Sequence, residues 1–377
     1  MKEGWTYKKL GDVCNINSGK SIKSSLIHSE RKEGFSPCYG GNGLRGYVEM
    51  PNCNGGNPII GRVGAQCGNV HYCDSPFYAT EHALIVTLLD KTINPLWLCH
   101  LFSSMDLKQY AEGAAQPVIA ARKLLSLNVS IPPMSVQQRI VERLDAAFEN
   151  IDKLKANAEK QLAEAQTLFQ KSLAKAMEPK EGWEEKTLKE IVLTITDGDH
   201  QPPPKSNEGI PFITISNINK DSNKIDFEDT FYVPQHYFDG LKTDRIPQEG
   251  DVLYTVTGSF GIPVLIDYKK DFCFQRHIAL IRPNQKMLFS KYLYYWILSD
   301  YAKVQAEDTA TGAAQRTVSL NSLRKFRISI PPLAEQQRIV ERLDALSENI
   351  RKYEEIQRQI ISECDALKQA LLRKVFE

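Results

Sequence analysis

The chain has 377 residues, 42% of them hydrophobic and 25% charged, an ordinary globular composition long enough for two or three domains. A net charge of +1 shows no broad basic face, so a surface for a polyanion has to be a local patch or be shared with a partner. No apolar run has the length of a membrane span, MKEGWTYKKLGD has no signal-peptide core, and eight cysteines without a Cys-x-x-Cys fit a reducing, cytoplasmic setting.

Residues 1–132 open on KEGW (Lys2–Trp5) and read as mixed α and β. Asn57–Val63 and Ala83–Leu89 predict strands, punctuated by Gly, Asn and Pro. Trp97–Tyr110 predicts a helix ahead of GAAQ (Gly113–Gln116), and the stretch closes on SIPP (Ser130–Pro133). A Pro-Pro pair cannot lie inside a helix and holds the residue before it extended, so SIPP is a boundary. Over 133–179 the pattern becomes helical, with Ile140, Leu144, Ala147, Ile151, Leu154, Ala158, Leu162, Ala165 and Leu168 close to a heptad. Ser135 with Gln138 fits a capping box at its start.

The order then repeats over 180–331. KEGW returns at Lys180–Trp183, strands are predicted at Pro211–Ile215, Val252–Val256 and Ile278–Ile281, and a helix at Lys291–Val304. GAAQ follows at Gly312–Gln315 and SIPP at Ser329–Pro332. Over 332–377 the seam runs Ile339, Leu343, Leu346, Ile350, Tyr353, Gln357, Ile360, Cys364, Leu367, Leu371 in unbroken 4-3 steps. Each helical stretch is roughly 40–45 residues, about 60–70 Å at 1.5 Å per residue. Such a helix with one apolar seam buries it against a partner, and the two seams predict an antiparallel pair through Leu144, Ile151, Leu154 and Leu162 of the first and Leu343, Leu346, Ile350, Ile360 and Leu367 of the second.

Ser130–Ala146 (SIPPMSVQQRIVERLDA) and Ser329–Ala345 (SIPPLAEQQRIVERLDA) differ at three positions, while Cys14–Gly68 and Ile191–Gly261 share little beyond Gly-rich turns. The fold class expected is α+β: two mixed α/β domains separated by two long α-helices packed as an antiparallel coiled coil, with a pseudo-two-fold internal repeat. Matched helices suit a partner held twice, and Gln137, Gln138, Arg139, Glu142 and Arg143, recurring as Gln336, Gln337, Arg338, Glu341 and Arg342, suit the docking surface. Diverged domains suit the reading of two different things, and a duplex with two half-sites matches that symmetry.

With these motifs in duplicate the chain resembles the specificity subunit of a type I restriction–modification system over its whole length. The resemblance rests on SIPP…QQRIVERLDA in both copies, on GAAQ, on YGGNGLRGYV…GRVGAQCGNV (Tyr39–Val70), and on TDGDHQPPPKSNEGIPFITISNI (Thr196–Ile218) followed by RHIALIRP (Arg276–Pro283). It implies two target-recognition domains, each reading half of a bipartite double-stranded DNA site. A helical pair would set the gap, two modification methyltransferase subunits would bind, and motor–nuclease subunits would join for restriction. Side chains suited to base edges and phosphates are Lys20, Ser21, Lys23, Asn42, Arg45, Arg62, Gln66, Asn69 and Gln116 in the first domain. In the second they are His200, Gln201, Lys205, Thr257, Ser259, Arg276, His277, Gln315 and Arg316.

No Asn/Asp-Pro-Pro-Tyr/Phe, Gly-x-Gly-x-x-Gly, Gly-x4-Gly-Lys-Ser/Thr or His-Glu-x-x-His occurs, so neither a catalytic group nor a cofactor is expected. Asp197 and Asp199 flank Gly198 as in a turn rather than a metal pair, and Cys53, Cys67, His71 and Cys73 lack the tight pairs of a zinc knuckle, so no metal is expected. Two other readings stay open at this level: the specificity subunit of a fused methyltransferase–nuclease system, and a coiled-coil protein scaffold that does not bind DNA.

Overall fold

The structure, a computed structural model, describes residues 4–113, 115–200, 203–313 and 315–376. It divides into two compact units, one formed by 1–159 with 358–377 and the other by 160–357. Each unit holds one globular head and parts of both long helices.

The first head is closed by its own ends. Thr6–Lys9 pairs antiparallel with Asn128–Ile131, Thr6 opposite Ile131, so the chain leaves the head where it came in. Inside lie a four-stranded sheet in the order Cys14–Ser18, Ala83–Leu88, Asn57–Gly61, Val70–Cys73, and a three-stranded one in the order Gly43–Val48, Ser36–Gly40, Tyr78–Ala79. Pro95–Ser104 is helical, with Asn94 capping it through its side-chain oxygen. Its Trp97, Leu98 and Phe102 fill the core with Leu10, Ile16, Ile60 and Val86.

The second head repeats this plan. Glu184–Thr187 pairs with Arg327–Ile330, and the four-stranded sheet runs Val192–Asp197, Ile278–Pro283, Val252–Thr255, Pro263–Leu265. The three-stranded sheet runs Phe231–Val233, Ile210–Ile213, Cys273–Phe274. The expected strands are present in both heads. The two expected helices are each broken: Pro95–Ser104 is followed by a 3-10 turn at Leu107–Tyr110, and Ser290–Leu298 by a separate helix, Asp300–Thr309.

The long helices are Met134–Met177 and Leu333–Phe376, 44 residues each. Among the described residues no helix is long and apolar enough to cross a membrane. The first starts two residues earlier than a Ser135 cap would place it: the Pro133 carbonyl already accepts from the Gln137 amide at 3.0 Å. In the unit that contains the first head, Lys155 bonds Asp365 at 2.8 Å and Lys368 reaches Asp152, so the helices run antiparallel there. In the other unit Tyr353 donates to Gln161 at 2.9 Å, and Leu173 and Met177 share a core with Ile339, Val340 and Leu343.

The seam is narrower than its periodicity suggests. Leu144, Ile151, Ala158 and Ala165, seven residues apart, are buried, as are Leu343, Gln357 and Cys364, while Leu162, Leu346, Ile350 and Ile360 are half-buried. Leu154 and Leu367, expected in the interface, are 50% and 48% exposed. Two helices cover one stripe of each other, so the second position of the heptad lies on the flank, where only a further element could bury it.

Candidate nucleic-acid interface

In the second head, several segments far apart in sequence meet around one cleft. It is lined by Asp197 at the end of the first sheet strand and His200 beyond it, Thr257 after Val252–Thr255, Arg276 and His277 in the turn before Ile278–Pro283, and Gln315 of GAAQ with Thr317 just after it. The Thr317 hydroxyl donates to that of Thr257 at 3.3 Å, and His200 Nε2 lies 2.8 Å from Asp197 Oδ2. Partial burial, and then the neighbouring Arg276 charge, lower the pKa of His277 from its ordinary value, favouring the neutral ring that can both donate and accept.

The cleft thus gathers five of the residues expected from sequence: His200, Thr257, Arg276, His277 and Gln315. Ser259 sits on the adjoining loop, where its carbonyl accepts from Thr255 Oγ1 at 2.8 Å. Arg316 is tied to Glu307 and its guanidinium lies over Phe260, 5.4 Å from the ring centre. Lys205 lies over Phe231 of the other sheet, 5.0 Å from the ring centre and outside the cleft lining. Gln201 lies outside the described residues. Asp197 and Thr317 were absent from the expected set; each lies beside a named candidate, yet only the fold turns them inward.

The first head brings Lys20, Arg62 and Gln116 to the corresponding loops, and its other candidates lie elsewhere on the head. Arg62 and Val63 follow Asn57–Gly61, Gly64 N donates to Pro117 O at 3.0 Å beside Gln116, and Lys20 N donates to Ala79 O at 2.9 Å. Asn42 and Arg45 belong to the hairpin of Ser36–Gly40 and Gly43–Val48, both exposed. Gln66 and Asn69 bond each other at 3.1 Å across a turn, and the Ser21 carbonyl accepts from Tyr78. Lys23 immediately precedes the 3-10 turn Ser24–Leu26 and is exposed. Cys73 donates to the Ser75 carbonyl, Cys53 to Asn52 Oδ1, and His71 rests against Tyr39. Among the described residues no group of three or more His, Cys, Asp or Glu is placed to hold a metal.

The joints between heads and long helices are better defined still. Gln137 Oε1 accepts from Asn94 N at 2.8 Å, and its Nε2 donates to the carbonyls of Thr92 and Pro132, both at 2.9 Å. Gln336 repeats this with Phe289 N at 2.8 Å and with Met287 and Pro331 O at 2.9 Å. Gln137 and Gln336 are 1% and 0% exposed, which corrects their expected place on a docking surface: a side-chain amide with one acceptor and two donors used is an internal staple. Asp145 and Asp344 add a second clasp, to His100 Nε2 at 2.8 Å and to Lys291 and Tyr295 at 2.7 and 2.6 Å. The remaining repeated residues, Gln138, Arg139, Glu142 and Arg143 with Gln337, Arg338, Glu341 and Arg342, face outward.

A family model described as the type I restriction modification DNA specificity domain matches residues 2–164 and again 180–361, one match to each head with part of a long helix. The chain belongs to this family. It is 40% identical over 139 residues to the EcoprrI specificity subunit of Escherichia coli, covering 37% of this chain and 34% of that relative. It is 28% identical over 356 residues to a putative type I restriction enzyme specificity subunit of Haemophilus influenzae, covering 90% of this chain and 86% of that one. A solved chain from work on complex assembly and conformational transition of the type I restriction–modification system matches with a TM-score of 0.77, covering 100% and 98% at 18% identity. The HsdS subunit of Thermoanaerobacter tengcongensis matches with a TM-score of 0.54, covering 100% and 97% at 18% identity. These structural likenesses speak to the fold. As a member of a specificity family the chain is not itself an enzyme.

Proposed function

We propose that each head is a target-recognition domain, 1–132 and 180–331, that reads one half of a bipartite double-stranded DNA site. The spacers, 133–179 and 332–377, set the number of unread base pairs between the halves. Their outward polar residues hold two modification methyltransferase subunits, and motor–nuclease subunits join that complex for restriction. One observation carries the reading: a loop cluster of amides, hydroxyls, imidazoles and a guanidinium group gathered in the second head by its strand ends, with Lys20, Arg62 and Gln116 on the matching loops of the first. These are the groups that meet base edges and phosphates, and a chain of net charge +1 has to gather them locally. The staples support the spacer role, because a spacer fixes a distance only when its ends are rigidly held.

The test is methylome sequencing of a host that expresses this chain with its methyltransferase partner. The expected result is a motif of two short specified halves separated by a gap of constant length. A single continuous motif, or no motif dependent on this chain, would contradict the proposal.

A further inference from the structure

The two heads differ in sequence where they are most alike in backbone. In the first, Thr80 N donates to Tyr39 O at 2.9 Å, Ala83 N to Thr80 O at 3.0 Å and Arg62 N to His82 O at 2.8 Å, while Ile119 N reaches Arg62 O at 2.9 Å. In the second, Gln275 N donates to Ile213 O at 3.0 Å, Ile278 N to Gln275 O at 3.1 Å and Val256 N to His277 O at 3.0 Å, while Val318 N reaches Val256 O at 2.8 Å. The turns Thr80–Glu81–His82 and Gln275–Arg276–His277 therefore occupy one position in a shared frame. The same frame matches Gly19 with Gly198: a Cβ there would lie 2.1 Å from Ala79 O and 1.8 Å from Phe274 O, so only glycine passes. That fixes Ser18 opposite Asp197 and Lys20 opposite Asp199.

Across this frame the charges are exchanged. The first head carries its cations on the strand ends, Lys20 and Arg62, and an anion in the turn, Glu81. The second carries its anions on the strand end, Asp197 and Asp199, and a cation in the turn, Arg276. The Glu81 side chain is 39% exposed, and its Oε1 lies 3.4 Å from His82 Nε2. A carboxylate facing DNA repels phosphates. An incoming donor would offset that cost. Arg276 is exposed at the cleft and makes no ion pair among the described residues.

We propose that the turn position held by Glu81 and Arg276 is a specificity determinant in each half-site: Glu81 accepts from an exocyclic amine, cytosine N4 or adenine N6, and Arg276 donates to guanine O6 and N7. The proposal rests on the heads being DNA readers, and its test separates the two claims. E81M, which keeps the side-chain length but removes the acceptor, and R276Q are expressed singly with the methyltransferase partner, and their methylomes are compared with that of the parent chain, which must itself show the bipartite motif. E81M should lose roughly ten- to a hundred-fold of the preference at one position of one half-site, and R276Q the same at one position of the other. All other positions should be unchanged, showing that the variants fold and assemble. A parent motif that is bipartite while both variants leave it intact overturns the role of this turn and spares the function. A variant that alters both halves also overturns it.

Discussion

The joints and the reading turns sit in the same repeated frame and have met opposite fates. At the joints the chemistry is kept to the atom: Gln137 and Gln336 each make three bonds with lengths equal between the heads. At the turns the backbone is kept and the side chain inverted, Glu81 against Arg276. A buried amide with every donor and acceptor used has no substitute, because any replacement strands backbone groups out of water. A rim residue answers to what it meets outside the chain, so it is free to change with the target.

The largest effects should come from the joint cores. Leu343→Ala, at a position 3% exposed, should cost about 2–5 kcal/mol in denaturant unfolding of the full chain. Gln336→Ala should follow at about 2–4 kcal/mol, since one N–H and two carbonyls lose their partner. If it costs less than about 1 kcal/mol, the staple is no joint and the contrast with the turns fails.

Acid should weaken both heads, each through its own histidine: His71 in the first and His277 in the second. Burial holds the His71 pKa below its ordinary value, and the matching position of the second head is Val264. The folded first head therefore binds fewer protons than its unfolded chain just below pH ~6.5, and stability falls as pH drops through that value. Hydrogen exchange at pH 7 and pH 5 should show protection lost in the first head, and His71→Val should remove that part of the loss. The smallest effect belongs to the exposed pair of Lys368 with Asp152: Lys368→Ala should cost about 0.2–1 kcal/mol, less in high salt, by the same unfolding assay.

Much of the fold was legible. Pro-Pro forced the boundaries, and seven-residue spacing forced the long helices and their partner. Leu154 and Leu367 were misplaced because periodicity reports which residues share a stripe, not how far one neighbouring helix covers it. Gln137 and Gln336 were misread because a repeated polar residue at a helix start looks solvated until Asn94 and Phe289 are brought beside it. In the cleft of the second head, five side chains were legible as DNA-reading types. Glu81 was not, because the heads carry different loop lengths: the match between Glu81 and Arg276 emerges from backbone hydrogen bonds, not from an even spacing along the chain.

The central claim is that a head is an interchangeable reader on a fixed spacer. Its most direct test replaces Cys14–Gly113 with the same segment of another family member, leaving the end strands, Gln137, the whole Gln336 staple and both long helices in place; the incoming segment must supply the backbone N–H and carbonyl that Asn94 and Thr92 give Gln137. Methylome sequencing with the same methyltransferase partner should show one half-site changed, the other retained and the gap unaltered. A change in both halves or in the gap would contradict the account.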